Sequence, residues 1–414
     1  MCFLQTFPAK PALLRLQFVA FIAMGLFGQV LFSVIAHFLG FDNRVCMLLY
    51  RGSYLCLCAY IVVYFFKENN KIFLRPFPIS LFLFWLYYFT RLVWDFFVAN
   101  VDLMLPVWEF FAWGIGSCFL PSLTAFVLAG RVLRQSNSAT LGMSGVLMLG
   151  TASILFFLIN GFEQVRFMLP NLNPINASQS FLLLSLIGLS SVLWGSHSNR
   201  RIRALSFAVF FLALMMGAYA GSRGAMLSFV ASFIVLIFLY FQSSSTFNRR
   251  KFFAVAGAFF ASFSLFIAFV LPSFLARINT SGFDTNSILR MMAFKESFDA
   301  FLGHPLFGAG FRLHLNLQEN IYSDFSVWFP HNLIAESLGL GGMLLSVALC
   351  CCLILAFRNA YALSQSFEFE SWRLAILVAS FGFVLFSGHL SNIPLFWIAM
   401  GIAASPRDIS VEKS

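Results

Sequence analysis

Apolar residues run almost unbroken along this chain, in stretches long enough to cross a bilayer and parted by short polar turns. A spanning helix needs about 20 such residues. The runs are continuous and do not alternate apolar with polar, which selects helices over barrel strands. Twelve spans follow, at 17–39, 45–66, 79–98, 106–129, 140–159, 179–195, 204–220, 224–241, 252–271, 333–357, 372–388 and 391–404. The pattern predicts an all-α polytopic membrane bundle, one membrane domain over residues 1–414. Its one long loop, 272–332, joins helices 9 and 10. Within that loop, Met291, Phe294, Phe298, Phe301 and Leu302 recur at helical spacing and predict an amphipathic helix over 286–302. Asp284, Thr285 and Ser287 offer caps, and Gly303 followed by Pro305 ends it. Such a helix lies along the membrane surface with Arg290 and Lys295 near the headgroups.

Composition agrees with this pattern. The chain is 60% hydrophobic and 10% charged, where a soluble protein carries about 25% charged residues. The first apolar segment follows Lys10 and Arg15 and reads as a retained signal-anchor helix. The eight cysteines sit in or beside apolar segments and read as packing residues, without disulfide or metal roles.

Net charge is +10, and its placement sets orientation. With the N-terminus inside, alternate turns collect 17 of the 26 Lys and Arg: Lys10, Arg15, Lys67, Lys71, Arg75, Arg131, Arg134, Arg200, Arg201, Arg203, Arg249, Arg250, Lys251, Arg358, Arg373, Arg407 and Lys413. The positive-inside rule then puts both termini in the cytoplasm. It puts loop 272–332 and the Gly221–Gly224 turn on the outer, periplasmic side. Of the six histidines only His197 falls inside; His37, His304, His314, His331 and His389 lie at or beyond the outer surface.

Three outer residues suit chemistry. Arg223, in Gly221-Ser222-Arg223-Gly224, stands where one span ends and the next begins. It either snorkels to the interface or, with the helix N-terminus behind it, holds a phosphate in its planar fork. Arg290 on the loop helix is either solvated or a second cation converging on the same anion. His331, between Pro330 and Asn332 at the start of the tenth span, either caps a helix or serves as a general base. The positive helix end disfavours its imidazolium form. Arg91 and Asp95, four apart, read as an intramembrane ion pair. Glu109 and His389 receive no role. HExxH, P-loop, GxSxG and GxGxxG motifs are missing, and a transporter's repeat symmetry and mid-membrane polar groups are not evident.

Taken together, Gly221-Ser222-Arg223-Gly224-Ala225, the loop arginine and Gly303-His304-Pro305-Leu306-Phe307-Gly308-Ala309-Gly310 resemble the O-antigen ligase family of membrane glycosyltransferases. His331-Asn332 and Glu336-Ser337-Leu338-Gly339-Leu340-Gly341-Gly342 extend the resemblance, which covers about residues 205–400. It implies glycan transfer from undecaprenyl pyrophosphate to a lipid A–core acceptor at the periplasmic face, by a metal-independent, inverting reaction without a cofactor. O-antigen or exopolysaccharide polymerases of the same superfamily are the alternative, and a polysaccharide transporter or flippase a more distant one. The resemblance makes His331 the base and Arg223 and Arg290 the pyrophosphate clamp, with Ser222, His304 and Arg312 secondary. Its partners are the donor, the lipid A–core or glycan acceptor and the bilayer, with no nucleic acid.

The orientation is testable by cysteine labelling in a background lacking native cysteines. An impermeant thiol reagent applied from the periplasm should label a cysteine placed at Ser281 and spare one at Ser244. The reverse pattern would overturn the orientation.

Overall fold

The structure, a computed structural model, describes residues 19–406 except 69, 104, 133–136, 161–173, 195–199, 221, 243–248, 250–252, 254–255, 258–259, 261–263, 265–284 and 322–328. Helices dominate, and no strand occurs among the described residues. In chain order they are α1 Val19–Phe38, α2 Asn43–Glu68, α3 Pro76–Phe97, α4 Val107–Gly130, α5 Asn137–Asn160, α6 Pro174–Trp194 and α7 Arg200–Tyr219. Then come α8 Arg223–Gln242, α9 Thr285–Gly303, α10 Arg312–Asn320, α11 Leu333–Ser366, α12 Ser371–Ser387 and α13 Pro394–Ala404.

Among the described residues, eight helices are long and apolar enough to cross a membrane, and three shorter apolar stretches lie at Ser144–Leu155, Arg203–Tyr219 and Pro394–Ala404. These match eleven of the twelve expected spans. The ninth, 252–271, falls mostly outside the described residues, although Phe253, Gly257 and Phe260 within it are helical. The last span is only 11 residues, about 16 Å of helix against about 30 Å of hydrocarbon. Yet every residue of α13 after Pro394 is buried. It packs against α4, α11 and α12, so neighbouring helices, not lipid, surround it.

Lipid-facing and core-facing helices differ in the way their sequences dictate. Leu48, Leu49, Phe66, Phe82, Leu83 and Leu86 remain exposed on α2 and α3 because lipid is their solvent. By contrast α6 is almost wholly buried. It touches α1, α5, α7, α8 and α12. With no hydrophobic force between helices in lipid, small hydroxyls act as glue: Ser178 Oγ donates to the Gly217 carbonyl at 2.8 Å and Ser185 Oγ to the Phe210 carbonyl at 3.0 Å. At the expected cytoplasmic end, Arg373 is buried and not a free surface charge. It pairs with Glu370 at 2.6 Å and donates to the carbonyls of Ala129, Ile402 and Ser405, where α4 and α13 end. α12 joins the two halves of the bundle, with α6 and α8 on one side and α11 and α13 on the other.

The break in α11 decides where the outer segments sit. Gly342 has φ 62° and ψ −154°, so a short helix from Leu333 is followed by a longer one at an angle. Opening the helix there frees backbone groups, and the strap Pro305–Gly310 occupies them. Ala309 N–H donates to the Gly339 carbonyl at 2.8 Å and Gly310 N–H to that of Leu340 at 3.0 Å; Met343 N–H donates back to Pro305 at 2.8 Å. Backbone meets backbone at this seam. A Cβ on Gly308 would strike Leu340 and Gly341, and one on Gly342 would strike Leu306 and Gly308. Both glycines also have positive φ. The two glycine-rich motifs singled out in the sequence are thus the two sides of one seam.

Gly308→Ala and Gly342→Ala should each destabilise the purified protein by at least about 1–3 kcal/mol, the cost of overpacking, seen as a lowered melting temperature in detergent. Gly303→Ala, with open space around it, is the control and should melt like wild type. Equal melting of all four proteins would refute the seam.

Candidate active site at the C-terminal end of helix α12

Residues 385–391, where α12 ends and turns toward α13, include His389 and meet Arg290 and His331. Arg290 of α9 is tied to the bundle: its Nη1 donates to the Phe386 carbonyl at 2.8 Å. A helix C-terminus leaves its last carbonyls unpaired, and a guanidinium suits them both as donor and as charge. The expected helix itself is present, as Thr285–Gly303. Met291, Phe294, Phe298 and Leu302 form an exposed apolar face, while Ala293 and Ser297 are buried against the bundle. Lys295 is exposed as predicted.

His331 reaches the same place from the other side. Asn332 caps α11, its Oδ1 accepting from the N–H groups of Ile334 and Ala335 at 3.0 Å each, and its Nδ2 donates to the Leu385 carbonyl at 3.0 Å. His331, just before the cap, has φ 56°, in the left-handed region that a side chain of this kind seldom adopts. Strain of that sort costs about 1–3 kcal/mol and clusters at functional positions. The Gly388 N–H approaches the His331 carbonyl at 3.4 Å. Its ring lies 4.5 Å from that of Phe329, which in turn lies 4.9 Å from His389. Burial lowers the His331 pKa to about 4; the Arg290 charge and His389 add to the effect, and Glu336 opposes it. The imidazole is therefore neutral at pH 7.

Arg223 is the first residue of α8 and is exposed. Its neighbour Gly224 lies so close to Phe386 that a Cβ would strike that ring. Gly224 (next to Arg223), Arg290 and His331, far apart in sequence, thus meet residues 386–388 at the end of α12. Ser222 is buried, and its Oγ accepts from the Ala225 N–H at 3.4 Å; the contact caps α8 and accounts for the side chain structurally. Gly221 is outside the described residues. His304 and Arg312 are exposed and line a separate cleft.

Beneath this surface is a carboxylate that the sequence did not flag. Glu336 is fully buried. Its Oε2 accepts from the Leu390 N–H at 2.8 Å, and its Oε1 lies 3.3 Å from both His314 Nε2 and His389 Nε2. These three side chains bring ligand atoms within 4.8 Å of one another, as a metal site would. Hydrogen bonding gives a fuller account of them. The Ser391 N–H donates to His389 Nδ1 at 3.3 Å, which leaves the ring proton on Nε2, facing Glu336. Burial lowers the His389 pKa to about 4, so this neutral tautomer holds at pH 7. Glu336 thus ties α10, α11 and the 388–391 turn together. In the sequence it opens the Glu336–Gly342 motif five residues after His331, but no role attached to it there.

Asp95 does similar work further out. It pairs with Arg91 at 3.0 Å, as the spacing predicted, and also accepts from the Phe311 N–H at 2.7 Å. Through it, α3 holds the start of α10.

A family model described as O-Antigen ligase matches residues 208–350. The match spans about a third of the chain, and together with the apolar helices it supports a multi-pass membrane protein similar to O-antigen ligases and polymerases. Comparison with curated proteins gives no match. The matched stretch encloses Arg223, Arg290, His304, Arg312, His314, His331 and Glu336. Arg91, Asp95 and His389, which support it from outside, lie beyond its bounds.

Glu336→Gln keeps the shape but sets an amide N–H₂ among donors. It should lower stability by about 1–3 kcal/mol, the cost of an unsatisfied buried group, and speed hydrogen exchange at Leu390. Wild-type melting and exchange would mean that Glu336 does not hold the turn.

Proposed function

We propose that the chain transfers a glycan from undecaprenyl pyrophosphate to a lipid A–core acceptor at the periplasmic face of the inner membrane. The observation that carries this reading is that Arg290 and the neutral His331 meet the end of α12 beside Gly224, the residue after Arg223. Pyrophosphate is a good leaving group, so the protein has two tasks. It must neutralise the departing charge, and it must take a proton from a sugar hydroxyl.

In the proposed step the acceptor oxygen attacks the anomeric carbon opposite the pyrophosphate. The new C–O bond forms as the bond from that carbon to the phosphate oxygen breaks, and the electron pair leaves with undecaprenyl pyrophosphate. Arg223 and Arg290 stabilise that charge with planar, multidentate donors in a partly dry setting. The hydroxyl proton passes to the His331 imidazole, and configuration at the anomeric carbon inverts. No metal or nucleotide enters this step. His331 is strained, half-buried and held by Phe329 and the Gly388 contact, which fixes the ring for one orientation of attack.

The reading is tested with purified full-length protein, lipid-linked donor and lipid A–core, donor binding and transfer being measured separately. His331→Gln should bind donor normally and transfer about 10²–10⁴ times more slowly, the usual reach of general-base catalysis. Arg290→Ala and Arg223→Lys should weaken donor binding as well as transfer. Because protonation of His331 inactivates a base, the acid limb of wild-type kcat/KM should fall near pH 4 and not near 6.5. Removing Arg290, whose charge helps lower that pKa, should move the limb up. Near-normal transfer by His331→Gln would refute the base. Extension of one lipid-linked glycan by another, with the core untouched, would make the chain a polymerase.

A further inference from the structure

A cleft of about 840 Å³ opens between the outer end of α3 and residues 303–316, away from the α12 turn. Arg91, His304, Arg312 and Asn316 supply its polar lining. The negative charge of Asp95 is offset there by Arg91 and the Phe311 N–H. Arg312 and His304 are exposed, and neither makes an ion pair or side-chain hydrogen bond among the described residues. The rim is apolar: Trp94, Leu306 and Phe307 are 55%, 57% and 55% exposed. One wall is the strap of the glycine seam, so the cleft is preformed. Cations under an apolar, aromatic rim suit an amphiphile with an anionic head, and cavities of about 300–1,000 Å³ hold molecules of phosphosugar size.

The position separates this ligand from the donor. On α10, Arg312 and Asn316 share the face toward the cleft, while His314 points the other way, to Glu336. A helix about 10–12 Å thick therefore stands between the cleft and the Glu336 cluster beside His331. An anion held here is too far from His331 to be the leaving pyrophosphate. A glycolipid whose phosphates lie several sugars from its reacting hydroxyl spans that gap. We propose that this cleft binds the phosphate-bearing head of the glycolipid acceptor, an assignment that rests on the transferase reading above.

Binding to wild type and to Arg312→Gln, both full-length in nanodiscs, tests it with four probes: a bisphosphorylated lipid A-type glycolipid, its dephosphorylated form, undecaprenyl pyrophosphate and phosphatidylglycerol. Wild type should prefer the phosphorylated glycolipid. Arg312→Gln should weaken that one probe by about tenfold or more, the loss of one charge-assisted contact. It should raise the acceptor KM and leave kcat unchanged. His304→Gln should show the same pattern more weakly. Equal wild-type binding of the phosphorylated and dephosphorylated glycolipids would overturn the site. Weaker undecaprenyl pyrophosphate binding in Arg312→Gln would assign the cleft to the donor instead, and equal affinity for phosphatidylglycerol would make it a general lipid contact. Binding needs no turnover, so the two readings fail separately. A protein that binds as expected but transfers nothing contradicts the transferase reading and leaves the headgroup site. Transfer with phosphate-blind binding contradicts the site alone.

Discussion

The outer half of the molecule depends on the backbone seam between Pro305–Gly310 and the break at Gly342. Hydrogen bonds that α11 would have made internally are made instead with the strap, at 2.8–3.0 Å for Ala309, Gly310 and Met343. In a bilayer-spanning protein an unpaired backbone group costs several kcal/mol, so a helix opens only where another segment closes it. That requirement fixes the strap, and with it the end of α9 and the start of α10. Side chains cannot enter the seam, which is why glycine occupies Gly308 and Gly342.

From the seam, the short first part of α11 carries Asn332, Glu336 and Gly339 to three different partners. Asn332 reaches Leu385, Glu336 reaches Leu390, and Gly339 lies against Ser297 and Leu313. The turn after α12 is thus held from one side by a neutral amide and from beneath by a carboxylate. Arg290 pins the same turn through Phe386. A surface assembled this way offers a cation and a neutral imidazole that do not cancel each other. Arg290 and burial keep His331 unprotonated, whereas Glu336, the nearest acid, is already engaged with Leu390, His314 and His389.

Much of this was legible in the chain because lipid imposes simple rules. Span positions, the loop helix with its end at Gly303, and the Arg91–Asp95 pair all follow from hydropathy, spacing and capping. Other features depend on contacts between distant segments. Arg290 has the surface-facing spacing of a headgroup contact, yet a helix C-terminus 96 residues later attracts it. Ser222 looks like part of a reactive turn and serves as a cap. Glu336 sits within an apolar run, and nothing local tells that two histidines and an amide from elsewhere will surround it. Arg373 enters the charge count that predicts orientation, but its task of clamping α4 and α13 appears only in three dimensions.

The central claim is that Arg223, Arg290 and His331 form one donor site at the outer end of α12, distinct from the cleft beside Arg312. The most direct measurement is an experimental structure of the protein in a lipid nanodisc with undecaprenyl pyrophosphate bound. The account predicts pyrophosphate density within hydrogen-bond distance of both Arg223 and Arg290, with the His331 ring facing the position of the anomeric carbon. Pyrophosphate bound instead by Arg91, His304 and Arg312 would contradict it.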